Sequence, residues 1–191
     1  MNVLQTFLNP GDEVLLIEPY FDIYKMHLDI CRLKPVVVSL RPPANDFLSA
    51  NAWKLDMDEF ERKISSRTKL LLFNTPHNPT GKVFTKAELV QIAEICKRKN
   101  IVVLSDEVYE ELVFEGRRHE RMALLPEMWE RTLTVCSAGK LFGATGWRIG
   151  WIFGAEEAIR KCVKTQTMTV FTSNTPLQVI YSFYCCIYMY L

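Results

Sequence analysis

The sequence predicts an α/β fold with helices layered on a mainly parallel sheet. Three observations point there. Short apolar runs alternate with amphipathic stretches over most of the 191 residues, the pattern of successive βαβ units. Most of the runs are predominantly apolar without a polar alternation, as strands covered on both faces tend to be. Polar residues foreign to a core follow three of those runs: Asn78, then Asp106 with Tyr109, then Ser137 with Lys140. Sheets of this kind bind ligands at the carboxyl ends of their strands.

The elements follow in order. Val3, Leu4, Phe7 and Leu8 form the apolar side of a helix that stops at Asn9-Pro10-Gly11-Asp12. Val14–Ile17 reads as a buried strand ending in Glu18-Pro19. Tyr20–Cys31 has helical spacing, with Ile23, Met26, His27 and Ile30 on one face. Pro35–Leu40 is a second strand, and Arg41–Trp53, with two prolines, is a loop. Asp56 caps a short helix over Leu55–Ile64, with Glu59 at the capping-box position. After the strand Lys69–Phe73 comes the loop Asn74–Gly81. Thr85 and Glu88 then open a helix that turns Leu89, Ile92, Ala93 and Cys96 inward. Ile101–Ser105 is a strand, Arg117–Arg131 is irregular with helical turns, and Thr132–Cys136 and Trp147–Phe153 are strands. Glu156–Met168 is helical, and Thr175-Pro176 opens a last helix.

Composition narrows the function classes. A formal net charge of +1, with 24% charged and 49% apolar residues, gives no basic excess for nucleic acid and no solvating tail. The six cysteines form no C-x-x-C pair, which disfavours zinc and redox motifs. Free thiols suit a reducing compartment, the cytoplasm or an organelle matrix. The N-terminus shows no signal or transit character. From Val179 to Leu191 the chain has no charge, yet it is too short for a membrane span, which needs ~20 apolar residues. No membrane association is expected.

Lys140 stands out. It follows a strand and sits behind Ser137, Ala138 and Gly139, and a lysine that must approach a flat cofactor needs neighbours without bulk. This reading makes Lys140 the carrier of a cofactor held as a Schiff base. The other polar residues have ordinary explanations when taken singly. Asp106 suits a helix cap or half a salt bridge, Tyr109 suits core packing with its hydroxyl at the rim, and Asn78 suits a turn. Arg148, between two tryptophans, suits stacking. His77, Trp147 and Trp151 are read as structural.

Taken together, N-P-T-G (Asn78–Gly81), S-D-E-V-Y (Ser105–Tyr109) and S-A-G-K-x-F-x-A-T-G-W-R-x-G-W (Ser137–Trp151) resemble the fold type I pyridoxal-phosphate aminotransferases. The stretches Asn74–Val83 and Met128–Lys140 are most similar to the kynurenine aminotransferase / cysteine-S-conjugate β-lyase branch. Three ordered motifs make chance a poor explanation. The resemblance covers about residues 1–178 and implies the three-layer α/β/α large domain of that family, in incomplete form. It implies a pyridoxal 5′-phosphate cofactor and transamination between kynurenine, an aromatic or a sulfur amino acid and a 2-oxo acid, with β-lyase side activity.

The resemblance also implies residue roles. Lys140 forms the internal aldimine and shuttles the proton between the substrate Cα and the cofactor C4′. Asp106 pairs with the pyridine nitrogen. Tyr109 and Asn78 hydrogen-bond the phenolic oxygen, Ser137 and Arg148 hold the phosphate, and Phe21 stacks on the ring. The Glu18–Pro19 and Asn78–Pro79 bonds are expected to be cis. Leu141 and Gly143 depart from the polar residues usual beside the lysine, which bears on fine tuning of the site. Residues 179–191 are expected to be an atypical apolar tail. The N-terminal arm with its phosphate-binding loop and the C-terminal small domain with its carboxylate-binding arginine are expected outside the chain. The full-length parent is expected to be a homodimer, cytoplasmic or mitochondrial.

Two alternatives belong to other classes. One is a truncated, catalytically inactive fragment that at most binds the cofactor or a partner subunit. The other is a nucleotide-binding domain, which fits poorly because the glycines after Lys140 match neither G-x-G-x-x-G nor the Walker pattern.

Overall fold

The computed structural model describes residues 1–44, 49–114 and 116–188, with backbone only for 183–188. In chain order the elements are α1 (Asn2–Phe7), β1 (Glu13–Glu18), α2 (Ile23–Ile30), β2 (Lys34–Arg41), β3 (Lys54–Leu55), α3 (Met57–Arg62) and β4 (Thr68–Asn74). There follow α4 (Lys86–Arg98), β5 (Val102–Asp106), β6 (Thr132–Ser137), α5 (Ala138–Leu141), β7 (Gly150–Phe153), α6 (Glu156–Thr169) and α7 (Thr175–Tyr188). The seven-stranded sheet has the order β3-β2-β1-β4-β5-β6-β7. The central strands β2, β1, β4, β5 and β6 pair in parallel, while β3 and β7 close the edges antiparallel.

The alternation of side chains along each strand splits the apolar runs between two cores. Leu15, Ile17, Leu71, Phe73 and Val103 face α3 and α4, where they meet Phe60, Leu89, Ile92, Ala93 and Cys96. Val14, Leu16, Leu70, Leu72 and Leu104 face the other way, onto Val3 and Leu4 of α1, Tyr24 and Leu28 of α2, and Cys162 of α6. This is the expected three-layer α/β/α arrangement. Burying such a side chain contributes roughly 1.5–3 kcal/mol, so both layers are needed to hold the sheet.

Several local expectations change. The turned-in face of α2 is Tyr24 and Leu28, whereas Ile23, Met26 and Ile30 are exposed. Tyr24 supplies apolar bulk with a hydroxyl, which hydropathy spacing undervalues. Asp56 accepts from the Glu59 backbone N–H at 2.9 Å, but the Glu59 carboxylate pairs with Lys63 and Arg41. The full capping box forms at Thr85 and Glu88. The strand expected from Trp147 starts at Gly150, because Thr145–Trp147 is a 3₁₀ turn. Both expected cis X-Pro bonds occur, and Thr75–Pro76 is cis as well. Among the described residues Cys31, Cys96, Cys136 and Cys162 are free. The apolar stretch from Val179 continues α7, which packs Tyr181 against Ala138, Ile149 and Phe142. Residues 189–191 lie outside the described residues, as do the side chains of 183–188 and the part of the Arg41–Trp53 loop at 45–48.

Two packing details generate predictions. A Cβ on Gly139 would stand 2.8 Å from Thr145 Cα, a backbone atom with no rotamer to escape by. Gly139→Ala should therefore cost about 1–3 kcal/mol in urea unfolding, whereas Gly146→Ala, with nothing within 4 Å, should cost far less. The second is His77, which is only 4% exposed and bonds Thr80 Oγ1 at 2.8 Å. Burial, reinforced by the Lys82 charge, lowers its pKa to about 4. The folded state thus binds the His77 proton less tightly than the unfolded chain, whose histidine titrates near 6.5. The resulting stability is present above about pH 6.5 and is lost as pH falls toward 4. Unfolding free energy should drop by roughly 3 kcal/mol across that window, and His77→Gln should flatten the limb. His27, lowered by burial too, adds in the same direction.

Candidate active site

The carboxyl ends of β1, β4, β5 and β6 bring the chemistry-bearing residues to one edge of the sheet. Strand β5 ends on Asp106, which register pairs with Asn74 of β4 on one side and Val135 of β6 on the other. The Asn74 amide donates to the Asp106 carbonyl at 2.8 Å, and its Oδ1 accepts from the Asn78 backbone N–H at 2.7 Å. One side chain thus ties the Asn78 turn to the end of β5.

Asp106 is the electrostatic centre of the edge. Its Oδ2 accepts from the Tyr24 hydroxyl at 2.7 Å, and its Oδ1 from the Val108 N–H at 3.3 Å. Burial pushes the carboxyl above the usual range, and the Glu107 charge adds to this. The two hydrogen bonds and the Lys140 cation pull the other way. The Tyr24 phenol is pushed well up, first by burial and then by the Asp106 carboxylate.

Lys140 lies in the one-turn α5, directly after β6. It is exposed, and its Nζ stands 5.5 Å from the centroid of the Tyr109 ring. Ser137 is the N-cap of that turn, accepting from the Gly139 N–H at 3.2 Å. The small neighbours therefore have a structural cause beside any need of a cofactor: Ala138 is fully buried and Gly139 packs on the Thr145 backbone. Arg148 follows the 3₁₀ turn with φ 57° and donates to the Thr145 carbonyl at 3.0 Å.

Phe21 precedes α2 and meets Tyr24 edge-on, with centroids 5.7 Å apart. Tyr109 and Asn78 line a cleft of about 640 Å³ together with Val83, Leu112, Phe114 and Arg117. The structure thus joins Phe21, Tyr24, Asp106, Tyr109 and Lys140 through successive interactions, and places Asn78 across the cleft from the chain after β5. Ser137 and Arg148 make local backbone bonds at the β6 end. His77 is buried beneath the Asn78 turn, as a structural residue would be.

Two groups escape the sequence reading. Tyr24 is one, for the reason given above; a hydroxyl-bearing ring four residues before Leu28 was its only signal. Glu107 is the other. It is fully buried and bonds Ser105 and His119, each at 2.8 Å, and Arg121 at 3.4 Å. Its partners are separated from it by up to 14 residues of irregular chain, so spacing offered no cue. Nearby Cys136 is pushed up to about 12 by burial and by the Glu110 and Glu107 charges.

A primary amine, a desolvated carboxylate, a phenol and an amide at one sheet edge form a donor set suited to a phosphorylated pyridine aldehyde, which needs an amine partner and an acid at the ring nitrogen. Comparison with known proteins bears on this. Kynurenine--oxoglutarate transaminase 3 of Bos taurus is 45% identical over 179 residues, covering 93% of this chain and 39% of its own length. The crystal structure of Bna3p from Saccharomyces cerevisiae superposes with a TM-score of 0.88 at 44% identity, over 93% of this chain and 43% of that one. Cystalysin of Treponema denticola, which contains a pyridoxal 5′-phosphate cofactor, superposes with a TM-score of 0.81 at 25% identity, over 88% of this chain and 42% of its own. This chain therefore spans about two fifths of the length of the curated relatives it matches. No helix among the described residues is long and apolar enough to cross a membrane. The profile of the family "Aminotransferase class I and II" matches residues 2–182. With the parallel sheet and the residues at its carboxyl edge, that match makes the chain a member of the class I and II aminotransferase family, whose cofactor is pyridoxal 5′-phosphate.

Proposed function

We propose that this chain forms the cofactor-binding part of an aminotransferase working between an amino acid, of the kynurenine, aromatic or sulfur type, and a 2-oxo acid. The observation that supports it most is the placement of Lys140 beside the Tyr109 ring and within electrostatic reach of Asp106. When bound, pyridoxal phosphate supplies a carbonyl carbon for amine exchange and a ring that accepts electrons from the substrate Cα.

The chain's own residues do the rest. Lys140, whose amine would hold the cofactor carbonyl carbon, is on a turn braced by the Ser137 cap and the Thr145 contact, so its backbone is fixed while its side chain stays exposed. The free amine of Lys140 would be the base that takes the proton from the substrate Cα. Asp106 would hold a proton at the ring nitrogen. An ionised carboxylate has room for about four hydrogen bonds, and Tyr24 and Val108 use one on each oxygen. Tyr109 and Asn78 would donate to the phenolic oxygen from two sides of the cleft they line. Ser137 accepts from Gly139, which leaves its own O–H to donate to the phosphate. The Arg148 guanidinium has five N–H donors and spends one on Thr145. Phe21 would offer its ring face to the pyridine. The clamp for the substrate carboxylate would come from outside this chain, as would a partner subunit in a homodimer.

Two measurements test the reading. Purified chain incubated with pyridoxal phosphate and reduced with borohydride should carry the label on Lys140 in peptide mapping. Label elsewhere, or none, refutes the lysine's role; label without oxo-acid formation from kynurenine or methionine leaves a cofactor-binding fragment. The second concerns Asp106→Asn. Burial raises the carboxyl's pKa, so its charge costs stability at neutral pH and the neutral amide should raise the melting temperature of the cofactor-free chain, by about 2–4 °C per kcal/mol recovered. The same change in the full-length enzyme should lower turnover by at least 10²-fold, the scale of a lost proton-transfer group.

A further inference from the structure

We propose that Tyr24 is the positioning residue of this site: its hydroxyl fixes one oxygen of the Asp106 carboxylate and so sets the orientation in which Asp106 meets the cofactor's ring nitrogen. The inference rests on the cofactor reading above and assigns a residue that no motif in the sequence singled out.

The geometry supports it from three sides. The Tyr24 hydroxyl lies 2.7 Å from Asp106 Oδ2, a short and charge-assisted hydrogen bond. Tyr24 is buried, only 9% exposed, and its ring is clamped in the core beneath the sheet with Leu28, Leu16 and Leu104. The donor therefore cannot wander. The other carboxylate oxygen is met by the Val108 N–H, so the carboxyl plane is pinned at both oxygens while further acceptor positions remain. On its other flank the Tyr24 ring packs edge-on against Phe21, the residue whose ring would stack on the cofactor in the functional reading above. A single short helix start thus locates both the acid and the aromatic face, 82 residues apart in sequence for the Tyr24–Asp106 pair.

The electrostatics agree. The titratable groups that act on Asp106 and its Tyr24 partner are Tyr24 from α2, Glu107 and Tyr109 from the chain after β5, and Lys140 from α5. Burial and Glu107 favour the neutral acid, and Tyr24 and Lys140 favour the carboxylate. Of these groups, Tyr24 acts through a direct hydrogen bond to the carboxylate, and Lys140 through its charge.

The test uses the 191-residue chain and Tyr24→Phe, which keeps the ring and its packing. In cofactor-free protein, the carboxyl carbon of Asp106 followed by ¹³C NMR should titrate at a higher pH in the variant. An unmoved titration overturns the inference whether or not the cofactor binds, which separates it from failure of the functional reading. In binding, Tyr24→Phe should weaken pyridoxal phosphate about tenfold, the scale of a lost hydrogen bond to a charged group. It should leave unchanged the affinity for the carbocyclic analogue in which C–H replaces the ring nitrogen. Equal weakening of both ligands would mean a packing role only and would overturn the proposal, as would no weakening of either. A second readout is a double-mutant cycle, Asp106→Asn with and without Tyr24→Phe, measured for pyridoxal phosphate binding; should Tyr24→Phe fold poorly, Tyr24→Leu takes its place in the cycle. Coupling of the two changes supports the inference, and simple additivity refutes it.

Discussion

The constraint that organises this molecule is the double burial of its parallel strands. Leu15 and Ile17 face one layer of helices while Val14 and Leu16 face the other, and no face of the central sheet is left for water. Polar side chains then gather mainly where strands end, because a buried polar group without partners costs several kcal/mol. The chemistry at this edge follows from that exclusion. Asn74, Asp106 and Ser137 are the last residues of β4, β5 and β6, and each hands the chain to a turn that bears another functional group.

Concentrating polar groups at a buried rim creates a tension that the structure resolves with hydrogen bonds more than with exposure. Asp106 is half-buried, and burial works against its charge, but Tyr24 and the Val108 N–H offset part of that penalty. Its neighbour Glu107 is wholly buried and is met by Ser105, His119 and Arg121. Two adjacent residues thus point to opposite sides of the strand end. One is left with capacity for a ligand, and the other is saturated by the protein. The saturated one braces the chain after β5, where Tyr109 sits.

The turn carrying Lys140 shows how packing and function can demand the same small residues. Ala138 is closed in by α7 and the β7 approach, and Gly139 by the Thr145 backbone. Close access to a flat cofactor explains their lack of bulk less directly than these contacts do. The contacts nevertheless serve the site, because a rigid backbone under a long flexible side chain keeps the amine's reach defined.

The sequence by itself determined the layered α/β architecture, the central strands to within a residue or two, the capping box at Thr85 and Glu88, and the set of polar residues at the strand ends. These features are local or periodic: apolar runs bounded by turn residues, and motifs whose members lie within fifteen positions of one another. Only the tertiary structure decided which face of α2 is buried, why Gly139 is small, and which groups hold Asp106 and Glu107. Tyr24 reaches Asp106 across 82 positions, and its aromatic ring counts as apolar in any periodic reading while its hydroxyl does the bonding. Contacts of that kind are made by the order in which strands assemble into the sheet, β1 beside β4 beside β5. Hydrophobic spacing specifies that a strand is buried, but it does not specify its neighbour.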